Sequence, residues 1–186
     1  MELGGKVALV TGGAIRVGRA ISLALAGRGA AVAVNYHQSD EAARAVVAHI
    51  EARGGQAAGF QADVSDSGAV DRMVDGVLDR FGRLDVLVNN AAIFPRTPFY
   101  TVTEEEWDRT IGINLKGPFL CARRVGREML ARGGGKIVNI ADVSAFRPWA
   151  SYIPYCVSKA GVVALTQGLA KALAPTVQVN AVAPGP

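Results

Sequence analysis

The chain reads as short apolar blocks separated by longer segments in which apolar positions recur with helical spacing. The blocks include Val7 to Val10, Ala31-Val-Ala-Val34, Leu84-Asp-Val-Leu-Val88 and Ile137-Val138. They place strands at about 6–10, 30–35, 56–61, 84–89, 135–140 and 177–182. The intervening segments predict helices at about 17–28, 40–53, 67–81, 104–131 and 151–173, with the fourth open to a break near Gly112 and Gly117. Strands that are apolar throughout belong to a parallel sheet covered on both faces. With right-handed crossovers, the alternation predicts an α/β fold: a doubly wound parallel sheet in the order 3-2-1-4-5-6. Gly, Asp and Asn punctuate the elements without a long linker or repeat, so residues 1–186 are expected to form a single domain.

Composition acts mainly by exclusion. Half of the 186 residues are hydrophobic, enough for one sizeable core. The net charge is +4, and the basic residues are dispersed. The pair Arg123-Arg124 reads as a solvated helix face, and no nucleic-acid partner is expected. Cys121 and Cys156 have no metal-like spacing, which predicts idle thiols in a reducing compartment and no metal. Glu2 lies close to the first strand, which leaves no room for a signal peptide, and no run of 18 apolar residues exists. The expectation is a cytoplasmic protein without a membrane partner.

Two places carry chemistry. The first strand runs into Thr11-Gly12-Gly13-Ala-Ile-Arg16-Val17-Gly18 and then into an Ala/Leu-rich helix. Glycines at a strand-to-helix turn let backbone approach a pyrophosphate, and the free amides of a helix N-terminus favour an anion. Further on, Tyr155 and Lys159 stand four residues apart on one helical face. An ammonium about 4 Å from a phenolate is worth roughly 4 kcal/mol at an effective dielectric near 20, so Lys159 is expected to lower the pKa of Tyr155 and make it a general acid/base.

These motifs resemble the short-chain dehydrogenase/reductase family, and further matches extend the resemblance along the chain. Its glycine turn looks like Thr11 to Gly18, with Arg16 where the middle glycine is usual. Its Asn-Asn-Ala-Gly element looks like Asn89-Asn90-Ala91-Ala92, its adenine-side Asp-Val like Asp63-Val64, and its Pro-Gly after the sixth strand like Pro184-Gly185. The resemblance implies a Rossmann fold. It assigns cofactor binding to Gly12, Arg16, Val17, Gly18, Asp63, Val64, Asn90, Ala91, Tyr155, Lys159, Pro184 and Gly185. The implied catalytic set is Asn114, Asp142, Tyr155 and Lys159. Asn114 holds a water that relays protons to Lys159, and Asp142 stands at the position of the usual serine, with Ser144 facing elsewhere on a strand end. Family members continue past the proline-glycine pair through a substrate loop, a strand and a helix, so the chain is expected to be cut short after Pro186.

The second strand ends in Val34-Asn35-Tyr36-His37-Gln38-Ser39 and offers no acid before Asp40 to bind a ribose hydroxyl. Arg16, Asn35, His37 and Ser39 instead suit a 2′-phosphate, and NADP(H) is the expected cofactor. Within the family, Asp142, Arg16, Phe94 and Asn35-Tyr36-His37-x-Ser39 are similar to the pteridine reductases. That similarity implies hydride transfer to a C=O or C=N small-molecule substrate held by Phe94, Arg16, Asp142 and Tyr155, with Phe94 stacked on a pterin. The alternatives are a general carbonyl reductase, such as a 3-oxoacyl thioester reductase, or a non-catalytic dinucleotide-binding scaffold. Ile111, Leu115, Phe119, Val125 and Met129, with Val162, Val163 and Leu165, exceed what one sheet face hides, which predicts a homodimer or homotetramer.

Overall fold

The computed structural model describes residues 2–185. Six strands, β1 (Val7–Val10), β2 (Ala31–Tyr36), β3 (Ala57–Gln61), β4 (Val86–Asn89), β5 (Gly135–Ile140) and β6 (Val177–Val182), form one parallel sheet in the order β3-β2-β1-β4-β5-β6. The register sets Leu9 of β1 beside Ala33 and Leu87. Side chains alternate across the pleat. Val7 and Leu9 therefore enter one apolar cluster, and Ala8 and Val10 enter the other. The helices α1 (Arg16–Ala26) and α2 (Asp40–Glu51) cover the second cluster. The first is covered by α3 (Ser67–Phe81), α5 (Gly117–Ala131) and the later part of α6 (Ile153–Ala172). Leu9 and Leu87 are fully buried, each contributing about 1.5–3 kcal/mol by removal from water.

Local chemistry marks the ends. Asp66 caps α3 by accepting from the Ala69 amide, and Gly82, at φ 74°, closes it in a left-handed turn. Thr103 and Glu106 form a capping box at the start of α4 (Glu104–Ile111). β4 starts two residues later than predicted, because the Val7 amide bonds the Asp85 carboxylate at 2.9 Å instead of a ladder carbonyl. The long helix expected over 104–131 is three pieces, with a π-helical segment (Gly112–Lys116) between α4 and α5. Val125, Met129 and Val162 lie in the core and leave the exposed stripe expected of them, because packing against the sheet absorbs their face of the helix.

Candidate active site

A cleft of about 710 Å³ opens at the C-terminal ends of β1, β2 and β4. Its floor is the glycine turn. Gly12 takes φ 59°, and Arg16, at φ 48°, is the one non-glycine residue among those described with positive φ. That conformation is why glycine is usual there. Gly18 packs so tightly that a Cβ on it would lie 2.0 Å from the Gly12 carbonyl oxygen and 2.6 Å from Asn90 Nδ2. Thr11 Oγ1 accepts the Asn90 and Ala91 amides, and Asn90 Nδ2 donates back to the Thr11 and Gly12 carbonyls. The turn and the end of β4 are thereby sewn together.

The residues assigned to the cofactor divide under this geometry. Gly12, Arg16, Val17, Gly18, Asn90 and Ala91 line the cleft at the turn, and His37 and Ser39 line it beyond β2. Asn35 is corrected. It is buried, its Oδ1 accepts the Gly12 amide at 3.1 Å, and its Nδ2 serves the carbonyls of Tyr36, Phe60 and Ala62. Its side chain is consumed in holding the turn and has no donor left for a phosphate. Asp63 and Val64 line the opposite wall. Burial pushes the Asp63 carboxyl up, but the Ser65 amide and hydroxyl, with the charges of His37 and Arg109, outweigh it and hold the carboxyl below its ordinary value. Pro184 and Gly185 do not line the cleft among the described residues. The Pro184 carbonyl instead accepts the Val143 amide at 2.9 Å. Sequence reasoning missed Arg109, Ile113 and Lys116, which reach the cleft from α4 and the π segment. Apolar spacing placed a helix from about 104, but no local signal shows which way it faces.

The start of α1 fits a pyrophosphate. Its N-cap, Ile15, provides no capping side chain, and its first turn holds no acid. The leading amides are left to an anion beside the glycines.

Tyr155 lines the same cleft. β5 ends at Ile140 and leads to Asp142, which caps a 3₁₀ turn (Val143–Ala145) by accepting the Ser144 amide on Oδ1 at 2.7 Å. Its Oδ2 accepts the Tyr155 hydroxyl at 3.1 Å. Ser144 thus sits in this turn rather than on a strand end, and is fully buried. Lys159 Nζ donates to the Ile140 carbonyl at 2.7 Å and stands 5.6 Å from the Tyr155 ring centre. The expected lowering of the Tyr155 pKa is overturned. Burial raises it, and the Asp142 charge and hydrogen bond raise it further. Burial brings Lys159 down to about 8, against the pull of Asp142.

Asn114, in the π segment, is also committed. Its Oδ1 accepts the Ile93 amide at 2.8 Å and its Nδ2 donates to the Ile93 carbonyl at 2.9 Å, so the side chain braces a loop. The Phe94 ring lies 4.5 Å from that of Tyr155 and is stacked on Tyr152 at 4.3 Å and 9°. One face of Phe94 is therefore covered by Tyr152. Cys121 and Cys156 are buried and unbridged. Among the described residues there is no metal-binding cluster, and no helix is long and apolar enough to cross a membrane.

The profile of the short chain dehydrogenase family matches residues 6–186. A 3-oxoacyl-(acyl-carrier-protein) reductase of Synechocystis sp. is 46% identical over 181 residues, covering 97% of this chain and 73% of that protein. Among solved structures, a short chain dehydrogenase from Burkholderia cenocepacia in complex with NADP is 41% identical at a TM-score of 0.94, covering all of this chain and 76% of that one. An NAD⁺-bound xylitol dehydrogenase is 34% identical, also at 0.94, covering all of this chain and 72% of its own.

Proposed function

The chain belongs to the short chain dehydrogenase family and is an oxidoreductase, and on that premise we propose that it is an NADPH-dependent carbonyl reductase acting on 3-oxoacyl thioesters. One observation carries this reading: a single cleft joins the uncapped start of α1 to Tyr155, whose hydroxyl donates to Asp142. The likeness to a 3-oxoacyl reductase and to an NADP complex supports the substrate and the cofactor. Arg16, His37 and Ser39 would meet a 2′-phosphate. Gly12, Gly18 and Asn90 would border the pyrophosphate, and Asp63 and Val64 the adenine.

Reduced nicotinamide, when bound, supplies the hydride that the carbonyl carbon receives. The chain itself delivers the proton. Tyr155 passes it from Oη to the substrate oxygen, a role worth about 10²–10⁴ in rate. Its raised pKa keeps the proton in place at neutral pH and suits the reductive direction. Lys159, buried but still charged there, stabilises the phenolate that is left. Asp142 orients the phenol, and Asn114 braces the wall beside it.

A second reading is favoured by Asp142, which bonds Tyr155 where serine is usual, and by the Phe94 ring beside them. It is reduction of a C=N bond in a flat pterin. Assay of NADPH oxidation with acetoacetyl-CoA and with dihydrobiopterin decides between the two. Faster turnover of the thioester is expected. Preference for the pterin moves the enzyme to the second reading, and turnover of neither refutes both. We also propose a homodimer or homotetramer assembled through α4, α5 and α6.

A further inference from the structure

Behind Tyr155, three elements meet through one hydroxyl. Ser158 is fully buried in α6. Its Oγ donates to the Tyr155 carbonyl at 2.6 Å and accepts from Asn114 Nδ2 at 3.3 Å. Asn114 is bound on both sides to the Ile93 backbone, and Ile93 lines the cleft. The line Ile93–Asn114–Ser158–Tyr155 therefore ties the cleft wall to the π segment and to the first turn of α6. It depends on close approach of the two helical elements. A Cβ on Gly161 would come within 2.7 Å of Leu115 Cδ2, so glycine lets the Leu115 side chain lie directly against α6.

Serine works against the helix at this position. Alanine is the better helix former, and a serine bonding to the carbonyl three residues earlier disturbs the backbone ladder. What the hydroxyl provides is tertiary: a donor and an acceptor, both used, in a buried chain in which each hydrogen bond polarises the next. The π segment presents Asn114 to it, and such interruptions of a helix gather at functional sites.

We propose that Ser158 is a positioning residue that, acting through the Tyr155 carbonyl and Asn114, sets the first turn of α6 so that the Tyr155 phenol and the Lys159 ammonium keep their places against Asp142 and Ile140. It lines no part of the cleft and acts only through its partners. The proposal rests on the reading of Tyr155 as the proton donor. A displacement of about 1 Å at such a group costs on the order of 10²-fold in rate, so a small slackening is measurable.

The test uses the full chain with Ser158→Ala, Ser158→Thr and Ser158→Ala in an Asn114→Ala background. Ser158→Ala is expected to lower kcat about tenfold or more with the KM for NADPH nearly unchanged. Ser158→Thr, which retains the hydroxyl, should recover most of that loss. With Asn114 already alanine, removing the hydroxyl should cost much less. A second readout needs no turnover: ultraviolet difference titration, with the Tyr155 step identified by its loss in Tyr155→Phe. In Ser158→Ala that step should move to lower pH, because the phenol is no longer pinned beside the Asp142 charge. A parental kcat together with an unmoved Tyr155 step would overturn the proposal. So would equal losses in the alanine and threonine variants when both melt like the parent. A parent that reduces no carbonyl compound refutes the proposed function instead, and the titration still decides the role of Ser158.

Discussion

The Tyr155 hydroxyl donates to Asp142 Oδ2 at 3.1 Å, while the Ser144 amide holds the other oxygen of that carboxylate at 2.7 Å. The carboxylate is thus aimed by its own turn. Its charge raises the pKa of Tyr155 and also that of Lys159, which burial otherwise depresses. Asp142→Asn removes that charge and should lower both. Reduction needs the phenol protonated and the ammonium charged, so the alkaline limb of the kcat profile should move to lower pH. A limb unmoved between parent and Asp142→Asn would show that the carboxylate does not act on the proton donor.

Lys159 also links pH to stability. Folded, it releases its proton near pH 8; its ordinary value is 10.5. Between these values the unfolded chain binds more protons than the folded one, so this group makes stability rise with pH across the window. The cost of holding the charge at neutral pH is about 3 kcal/mol, taken from the shift at 1.36 kcal/mol per unit. Lys159→Met should abolish turnover, yet be more stable than the parent at pH 7 and lack the rise, as read by urea unfolding at several pH values.

Arg16 occupies a backbone conformation that suits glycine, at φ 48°. Arg16→Gly should relieve strain of about 1–2 kcal/mol, leaving the melting temperature unchanged or higher. A charged contact to a phosphate is worth about 1.5–3 kcal/mol, so the ratio of kcat/KM for NADPH over NADH should fall by about tenfold or more. NADH use should barely change. An unaltered ratio would place the 2′-phosphate elsewhere.

Gly18 tests the cleft floor. A Cβ would meet backbone at 2.0 Å, and neither the turn nor Asn90 can yield without breaking the bonds to Thr11. Gly18→Ala should cost about 1–3 kcal/mol of stability as an overpacked site and most of the NADPH affinity, measured by cofactor fluorescence. Gly168→Ala in α6, with nothing within 4 Å, is the control and should stabilise by about 0.5–1 kcal/mol.

Trp107, Phe119 and Val157 stay 39%, 42% and 43% exposed on α4, α5 and α6. If a second copy covers them, light scattering at micromolar concentration should give a dimer or tetramer mass, and Phe119→Glu should shift it toward monomer. A monomeric parent would refute the assembly.

The order of the sheet was legible from the alternation of strands and helices together with the right hand of their crossovers. A strand covered on both faces must be apolar throughout, and a turn that lets backbone approach a ligand needs glycine, so both leave a local record around Val7–Val10 and at Gly12 and Gly18. The pairing of Tyr155 with Lys159 on one helix was legible for the same reason. Their electrostatics was not. Lys159 bonds Ile140, Asp142 raises the phenol, and Asn35 and Asn114 spend their amides on scaffolding. Arg109 and Lys116 reach the cleft from α4 and from the π segment that follows it, and no periodicity records the direction of either. A buried polar side chain takes the partners that packing brings within about 3 Å, and those partners come from elements distant in sequence. Sequence determined which groups were present and on which element each lay; tertiary packing decided what each could bond, and therefore what charge it carries.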